Sequence, residues 1–363
     1  MKIKYARGFL SLFAGVNFLR RLIASHVDPF CVLIIVAFSA TIFFPGLGDE
    51  PLWVWDEQTH VYWAEHMLTT GDYLTPWAFG DVCLWISKPP LYMWLMVLAY
   101  HIFGGISNFA TRFWSAAFGV LSCVIVFYLG KFLYNRSIGI LSAFMLGTFT
   151  TFWSFARHAM LDVPLTFFLS SSIYFYILNE KSDNNKRYTL LSGIFFGLAL
   201  MTKQVAAFLT FLIIGFYLIV TQKNIRFLLS KRFTFFWVNG LLIFAPWIVY
   251  MHLRFGSDFW QNYFFYSVFQ RSVEPIETHV GRYLYYFVYL STHEYWIYLL
   301  PFAISICVHK RKKEDILVLI WITVVLGVFT IAQTKLYWYI LPVFPAFSIA
   351  ISSFLYKSYK KMK

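Results

Sequence analysis

Runs of roughly 16 to 22 apolar residues recur from one end of this 363-residue chain to the other, each close to the length with which an α-helix crosses bilayer hydrocarbon. Hydrocarbon offers no partner to a backbone N–H or C=O, so a chain made of such runs folds as a bundle of α-helices. The composition agrees, with 60% hydrophobic and 13% charged residues against about half and a quarter in soluble proteins. An all-α integral membrane protein is the expected fold class.

A net charge of +13 would suggest nucleic acid in a soluble chain, yet here the basic residues sit in short clusters between the apolar runs. Such clusters mark the cytoplasmic ends of membrane spans. No basic face with interleaved aromatics exists outside the spans, which argues against nucleic acid as a partner. The 42 Phe, 24 Tyr and 14 Trp suit lipid contact and interfacial anchoring. Cys31, Cys83, Cys123 and Cys307 are scattered without C-x-x-C spacing, so no metal or redox motif is expected. Only Cys83 falls in an expected outer loop, and no intramolecular disulfide is expected either.

Six clusters placed inside order the chain: residues 1–26, Lys131 with Arg136, Lys181 to Arg187, Lys223 to Arg232, His309 to Lys313, and Lys357 to Lys363. They imply about ten spans, at 27–45, 113–130, 138–156, 163–179, 189–202, 205–221, 234–252, 296–308, 316–333 and 337–355, with both termini cytoplasmic. The first is read as a retained span rather than a signal peptide cut after Ser39 or Ala40, because its basic region is long and chemically useful acids follow at once. Pro89 to Phe103 is too short to cross, and crossing would reverse every later cluster; an interfacial or re-entrant helix is expected there. The outer surface then carries an acidic first loop, 46–112, and a second long loop, 253–295. The whole chain, 1–363, is expected to be one transmembrane domain without a C-terminal soluble domain. Gly193-x-x-x-Gly197 predicts close helix packing. Asn135-Arg136-Ser137 matches a glycosylation acceptor but falls on the cytoplasmic side.

Alone, Asp56-Glu57 reads as a solvated acidic pair capping a helix. Its surroundings point elsewhere: Leu52-Trp53-Val54-Trp55-Asp56-Glu57, then Met67-Leu68-Thr69-Thr70-Gly71-Asp72-Tyr73, then Ser87-Lys88-Pro89-Pro90-Leu91-Tyr92-Met93-Trp94. Further along come Arg112-Phe113-x-Ser115-Ala116, Arg157-His158-Ala159-Met160-Leu161-Asp162-Val163-Pro164, Thr202-Lys203, Pro246-Trp247 and Thr334-Lys335-Leu336 with Ile340-Leu341-Pro342. In this order the set resembles the membrane glycosyltransferases with the GT-C fold, in particular the aminoarabinose-transferase and protein mannosyltransferase-like group.

The resemblance implies a GT-C-like bundle and transfer of a sugar from a polyprenyl-phosphate carrier to a lipid, glycan or protein acceptor, as in lipopolysaccharide or protein glycosylation. The site would open on the periplasmic or extracytoplasmic side of the plasma (inner) membrane. Such transfer needs a carboxylate to take the acceptor proton and cations to stabilise the departing phosphate. Asp56 matches the family's base, with Glu57 beside it and Asp162 as a second acid. Lys88 matches its phosphate-binding lysine; Arg157, Lys203, Arg271, Arg282 and Lys335 are further phosphate candidates by side and charge. Trp53, Trp55, Tyr73 and Trp77 form the expected sugar-stacking wall. Two departures stand out: Gln58-Thr59 follows Asp56-Glu57 where an arginine is common, leaving His60 as a replacement cation, and Ser87 precedes Lys88 where an aspartate is common.

His60 and His66 near Asp56, or Glu277 with His279, admit a divalent metal ion, although the spacing is no zinc signature. The rival from another class is a multi-pass transporter or flippase of a lipid-linked or small polar substrate. That class places ionisable residues at mid-membrane on broken helices and often shows inverted repeats. Here the acids fall at helix ends and in loops.

Overall fold

The computed structural model describes residues 27–363 except 86–87, 181, 183–184, 271–272, 275–280, 282 and 311. The N-terminal cluster 1–26 and the candidates Arg271, Glu277, His279 and Arg282 lie outside the described residues.

The chain forms an all-α membrane bundle. Among the described residues five helices are long and apolar enough to cross a bilayer, or six if a bent pair counts as one span; shorter apolar helices accompany them. In chain order the elements are α1 (Val27–Phe43), α2 (Asp56–Thr70), a hairpin of β1 (Trp77–Ala78) and β2 (Asp81–Val82), α3 (Leu91–Phe103) and α4 (Asn108–Leu133). Then follow α5 (Arg136–Thr148), α6 (Thr150–Ala156), α7 (Asp162–Glu180), α8 (Lys186–Gln222) and α9 (Lys231–Phe259). The chain ends with α10 (Tyr285–His293), α11 (Leu300–Lys310), α12 (Lys313–Ile331) and α13 (Phe344–Met362).

Two helices are broken where the sequence pattern is continuous or nearly so. The expected span 138–156 is α5 and α6, bent by 70° at Phe149, whose ψ of 125° leaves the helical region. The break exposes backbone N–H groups at the start of α6, and the buried Glu294 accepts from two of them, Thr150 N at 3.0 Å and Thr151 N at 2.7 Å. The expected spans 189–202 and 205–221 are the two arms of α8, joined where Lys203 (φ −147°, ψ 60°) and Gln204 (φ 3°, ψ −90°) depart from helical geometry.

Gly193 and Gly197 lie against α9, where a Cβ on Gly193 would stand 2.7 Å from the Phe236 carbonyl oxygen. The absence of side chains lets two backbones approach, as the spacing predicts.

Polar groups collect at two levels. At one, Asp28 opening α1 pairs with Lys131 at the end of α4 and with Arg136 opening α5, the latter at 2.8 Å. At this level too, Tyr134 donates to Asp315 at 2.7 Å, beside Lys357, and Tyr217 donates to Glu180 at 3.0 Å. These residues belong to or border the basic clusters assigned to a common side. The other level gathers the first loop, the α6–α7 turn, the α8 break and the segment before α13.

A larger side chain at Gly193 would meet backbone rather than a flexible neighbour. Gly193→Leu is therefore expected to destabilise the bundle by about 1–3 kcal/mol through overpacking. Thermal unfolding in detergent measures this; an unshifted transition would mean that α8 and α9 do not touch there.

Candidate active site

The first loop is held by a buried ion pair. Arg112, on α4, donates from Nε to Glu57 Oε1 at 2.8 Å and from Nη2 to Glu57 Oε2 at 2.7 Å. Its remaining donors reach the carbonyls of Leu47, Glu50 and Pro51 at 3.2, 2.9 and 2.8 Å. Glu57 also accepts from Trp53 N at 2.7 Å and from Ala159 N at 2.6 Å. Burial alone would raise the Glu57 carboxyl, but the Arg112 guanidinium and these two N–H groups hold it below the usual carboxylate range. The sequence reading set Glu57 with the catalytic acids; it is fully buried and does not line the cavity that Asp56 faces, so it positions the loop instead.

Asp56, one residue earlier, is half-buried and opens α2. Successive helical residues point about 100° apart, so Asp56 turns into a cavity while Glu57 turns into protein. Trp55 before it has φ +86°, a conformation that bulky residues seldom adopt. Its carbonyl accepts from Thr59 N at 3.0 Å and from the Thr59 hydroxyl. Backbone strain thus sits beside the candidate base, as it does at many functional sites.

The cavity has a volume of about 350 Å³ and is lined by Asp56, His60, Lys88, Asp162 and Lys203 among aromatic walls. Lys203 reaches Asp162 Oδ1 at 2.6 Å and stands over the Tyr339 ring at 5.1 Å. Asp162 is 2% exposed, and its Oδ2 has no partner among the described residues. A second, mainly apolar cavity of about 250 Å³ continues from the first, between the C-terminal arm of α8 and the end of α12. Lys88, Asp162, Lys203 and Tyr339 line both. A charged junction therefore separates an aromatic chamber from a greasy groove.

Several sequence candidates lie elsewhere. Lys335 gives its ammonium to the carbonyls of Phe329, Thr330 and Ala332, closing the C-terminus of α12 rather than facing the cavity. Arg157 donates to the carbonyls of Phe43 and Pro45, at 3.1 and 2.6 Å, and ties the end of α1 to the α6–α7 turn. Of the expected wall, Trp55 and Trp77 line the cavity. Trp53 instead stacks on His158 with ring centres 3.5 Å apart, and Tyr73 is exposed with its carbonyl accepting from Trp94. Trp63, Trp85, Trp338 and Tyr339 complete the wall. Their signal in the sequence was adjacency: Trp85 lies three residues before Lys88, and Trp338-Tyr339 follows Thr334-Lys335.

His60, the expected replacement cation, lines the cavity, but its surroundings disfavour the charged form. Burial pushes its imidazole below the ordinary value, against the pull of the Ala159 carbonyl and the Asp56 charge. Its Nδ1 is 2.8 Å from that carbonyl. His66 stacks on Trp77 in a separate cleft with Tyr62 and Glu65, so the two histidines do not converge. No set of three metal-ligating side chains occurs among the described residues.

Residues 87–250 match the family model described as dolichyl-phosphate-mannose-protein mannosyltransferase. The chain is 28% identical over 329 residues to the undecaprenyl phosphate-alpha-4-amino-4-deoxy-L-arabinose arabinosyl transferase of Pectobacterium carotovorum, covering 89% of this chain and 58% of that one. The chain thus spans somewhat under two thirds of the length of the curated relatives it matches. The structure of ArnT from Cupriavidus metallidurans bound to undecaprenyl phosphate superposes with a TM-score of 0.80 at 22% identity, covering 91% of this chain and 61% of that one. The Archaeoglobus fulgidus oligosaccharyltransferase follows with a TM-score of 0.68 at 14% identity, covering 92% and 51%. The fold is that of the GT-C membrane glycosyltransferases. Within that fold, the similarities found are to an aminoarabinose transferase and, over residues 87–250, to the protein mannosyltransferase family model.

Removing one member of a buried ion pair leaves the other charge uncompensated, at a cost of about 3–5 kcal/mol. Arg112→Met is expected to lower stability by that order, read as the melting temperature in detergent. Because the folded-state pKa of Glu57 is depressed, its contribution is present above the ordinary glutamate range and is lost as pH falls through the folded value. The wild type should lose this increment on acidification and Arg112→Met should not. Parallel acid profiles for the two proteins would show that the pair does not set the loop.

Proposed function

We propose that this chain is a glycosyltransferase that moves a sugar from a polyprenyl-phosphate carrier to a lipid, glycan or protein acceptor on the extracytoplasmic face of the plasma (inner) membrane. The observation that carries the reading is the junction: Asp56 shares a sugar-sized aromatic chamber with Lys88, Asp162 and Lys203, and these three also open the apolar groove. A phosphate at the junction puts a sugar in the chamber and an isoprenoid tail in the groove. The relatives supply the same chemistry by name, an undecaprenyl phosphate-linked aminoarabinose and a dolichyl phosphate mannose.

In this reading Asp56 takes the proton of the acceptor hydroxyl as its oxygen attacks the anomeric carbon. The bond from that carbon to the phosphate oxygen breaks, and the phosphate keeps the electron pair. Lys88 and Lys203 face the growing negative charge, where a fixed cation in a water-poor site is worth most. Asp162 orients the Lys203 ammonium through its 2.6 Å contact. Trp55, Trp77 and Trp338 offer ring faces to the apolar faces of the sugar.

Asp56→Asn keeps the side chain's shape and removes its basicity, so transfer should fall by about 10² or more while carrier binding stays near normal. Lys88→Ala should weaken both binding and transfer, since a cation on the phosphate acts in the ground state and more strongly in the transition state. Purified, folded variants are assayed with a lipid-linked sugar donor and an acceptor. Wild-type transfer by Asp56→Asn would remove it as the base.

The sidedness is tested separately. Ser107 caps α4 at the end of the first loop and is exposed, whereas the four native cysteines are buried. A cysteine placed at Ser107 should react with an impermeant maleimide added outside intact cells. Reaction only after cytoplasmic access would reverse the topology.

A further inference from the structure

The α8 break carries two side chains to the junction, and they differ in how they are held there. Lys203 meets Asp162. Gln204, the next residue, is 6% exposed and lines the apolar groove, and its amide oxygen is sealed from solvent without a hydrogen bond among the described residues. A buried amide oxygen without a hydrogen bond loses its contact with water and gains nothing in return. In a groove lined mainly by leucine, valine, alanine and phenylalanine, a leucine there would fill the space without that cost. Native proteins leave few such groups, and each calls for an explanation.

The position suggests what the amide meets. Gln204 shares the groove with Lys88, Asp162 and Lys203, the residues that bound its polar end, and a helix break holds it there. An amide can turn end for end, so it can present its two N–H donors or its carbonyl to whatever enters the groove. Opposite an anion flanked by two ammonium groups, the donors face inward. A neutral donor adds a directed hydrogen bond without adding charge, and so distinguishes a phosphate from a bare apolar tail.

We propose that Gln204 contacts the phosphate of an isoprenoid phosphate at the point where the phosphate joins the apolar tail. This rests on the carrier-dependent reading above and deepens it, adding a residue that selects the head of the carrier.

The test uses the full chain in nanodiscs, with undecaprenyl phosphate and undecaprenol as probes. Gln204→Met is similar in length and removes the amide. It should bind undecaprenyl phosphate roughly tenfold more weakly, the scale of one hydrogen bond to a charged group. Its melting temperature should equal or exceed that of the wild type, because an unpaired buried amide has been removed. Undecaprenol should bind both proteins alike. Gln204→Glu keeps a polar end of the same length and sets an acid against the phosphate; it should bind undecaprenyl phosphate more weakly still.

If wild type and Gln204→Met bind undecaprenyl phosphate equally, this inference fails while the proposed function stands. Equal losses for undecaprenyl phosphate and undecaprenol would also overturn it, since the amide would then only shape the groove. If the wild type binds no undecaprenyl phosphate, the proposed function fails first and this contact with it. Should Gln204→Met not fold, the Gln204→Glu comparison decides: binding equal to wild type overturns the contact.

Discussion

The buried pair of Glu57 and Arg112 fixes where everything else in the site can be. Two ionised groups removed from water are costly unless their hydrogen-bonding capacity is filled, and here it is. Arg112 spends its guanidinium on Glu57 and on three loop carbonyls, and Glu57 takes two further backbone N–H groups. The loop after α1, the start of α2, helix α4 and the α6–α7 turn therefore meet at one point. Asp56 is carried at the edge of that knot. Its neighbour holds the backbone while Asp56 stays turned to the cavity, so adjacent acids in the sequence perform opposite tasks.

Other side chains repeat this use of polar groups to close backbone. Glu294 accepts from the N–H groups freed where α5 and α6 part, and Lys335 covers the carbonyls at the end of α12. Arg157 joins the end of α1 to the turn before α7. In a medium without water such groups must find partners within the protein. Charge at this level of the bundle is thus divided between holding the chain and lining the chamber. Among the described candidates, Lys88 and Lys203 fall on the second side of that division.

That division explains what could be read from the residues. Apolar run length locates α4, α9 and α12 because a helix in hydrocarbon needs a definite number of apolar residues. Basic clusters group Lys131, Arg136 and Lys357 at one level because their charges cannot enter hydrocarbon. The motif order points to Asp56, Lys88 and Asp162, side and charge add Lys203, and the structure brings these four to one cavity. Lys335 and Arg157 read equally well as phosphate ligands, because a sequence does not say which carbonyls a chain turn will leave unpaired. Gln204 gave no signal at all. The role proposed for it comes from a break in α8 and from the hydrogen bond its amide oxygen lacks among the described residues, and neither is a property of its neighbours in the chain.

The groove behind Lys88 and Lys203 has a consequence for tempo. On the proposed function, a carrier that has lost its sugar keeps its tail, so the apolar contacts along the groove hold the spent carrier as firmly as the loaded one. Affinity gathered from the tail alone is uniform along the reaction and lends nothing to the chemical step. A long apolar tail seated in such a groove leaves slowly, and the emptied carrier competes with the next loaded one for the same junction. On the proposed function, turnover is paced by the exit of the used lipid into the bilayer rather than by the bond exchanged above it.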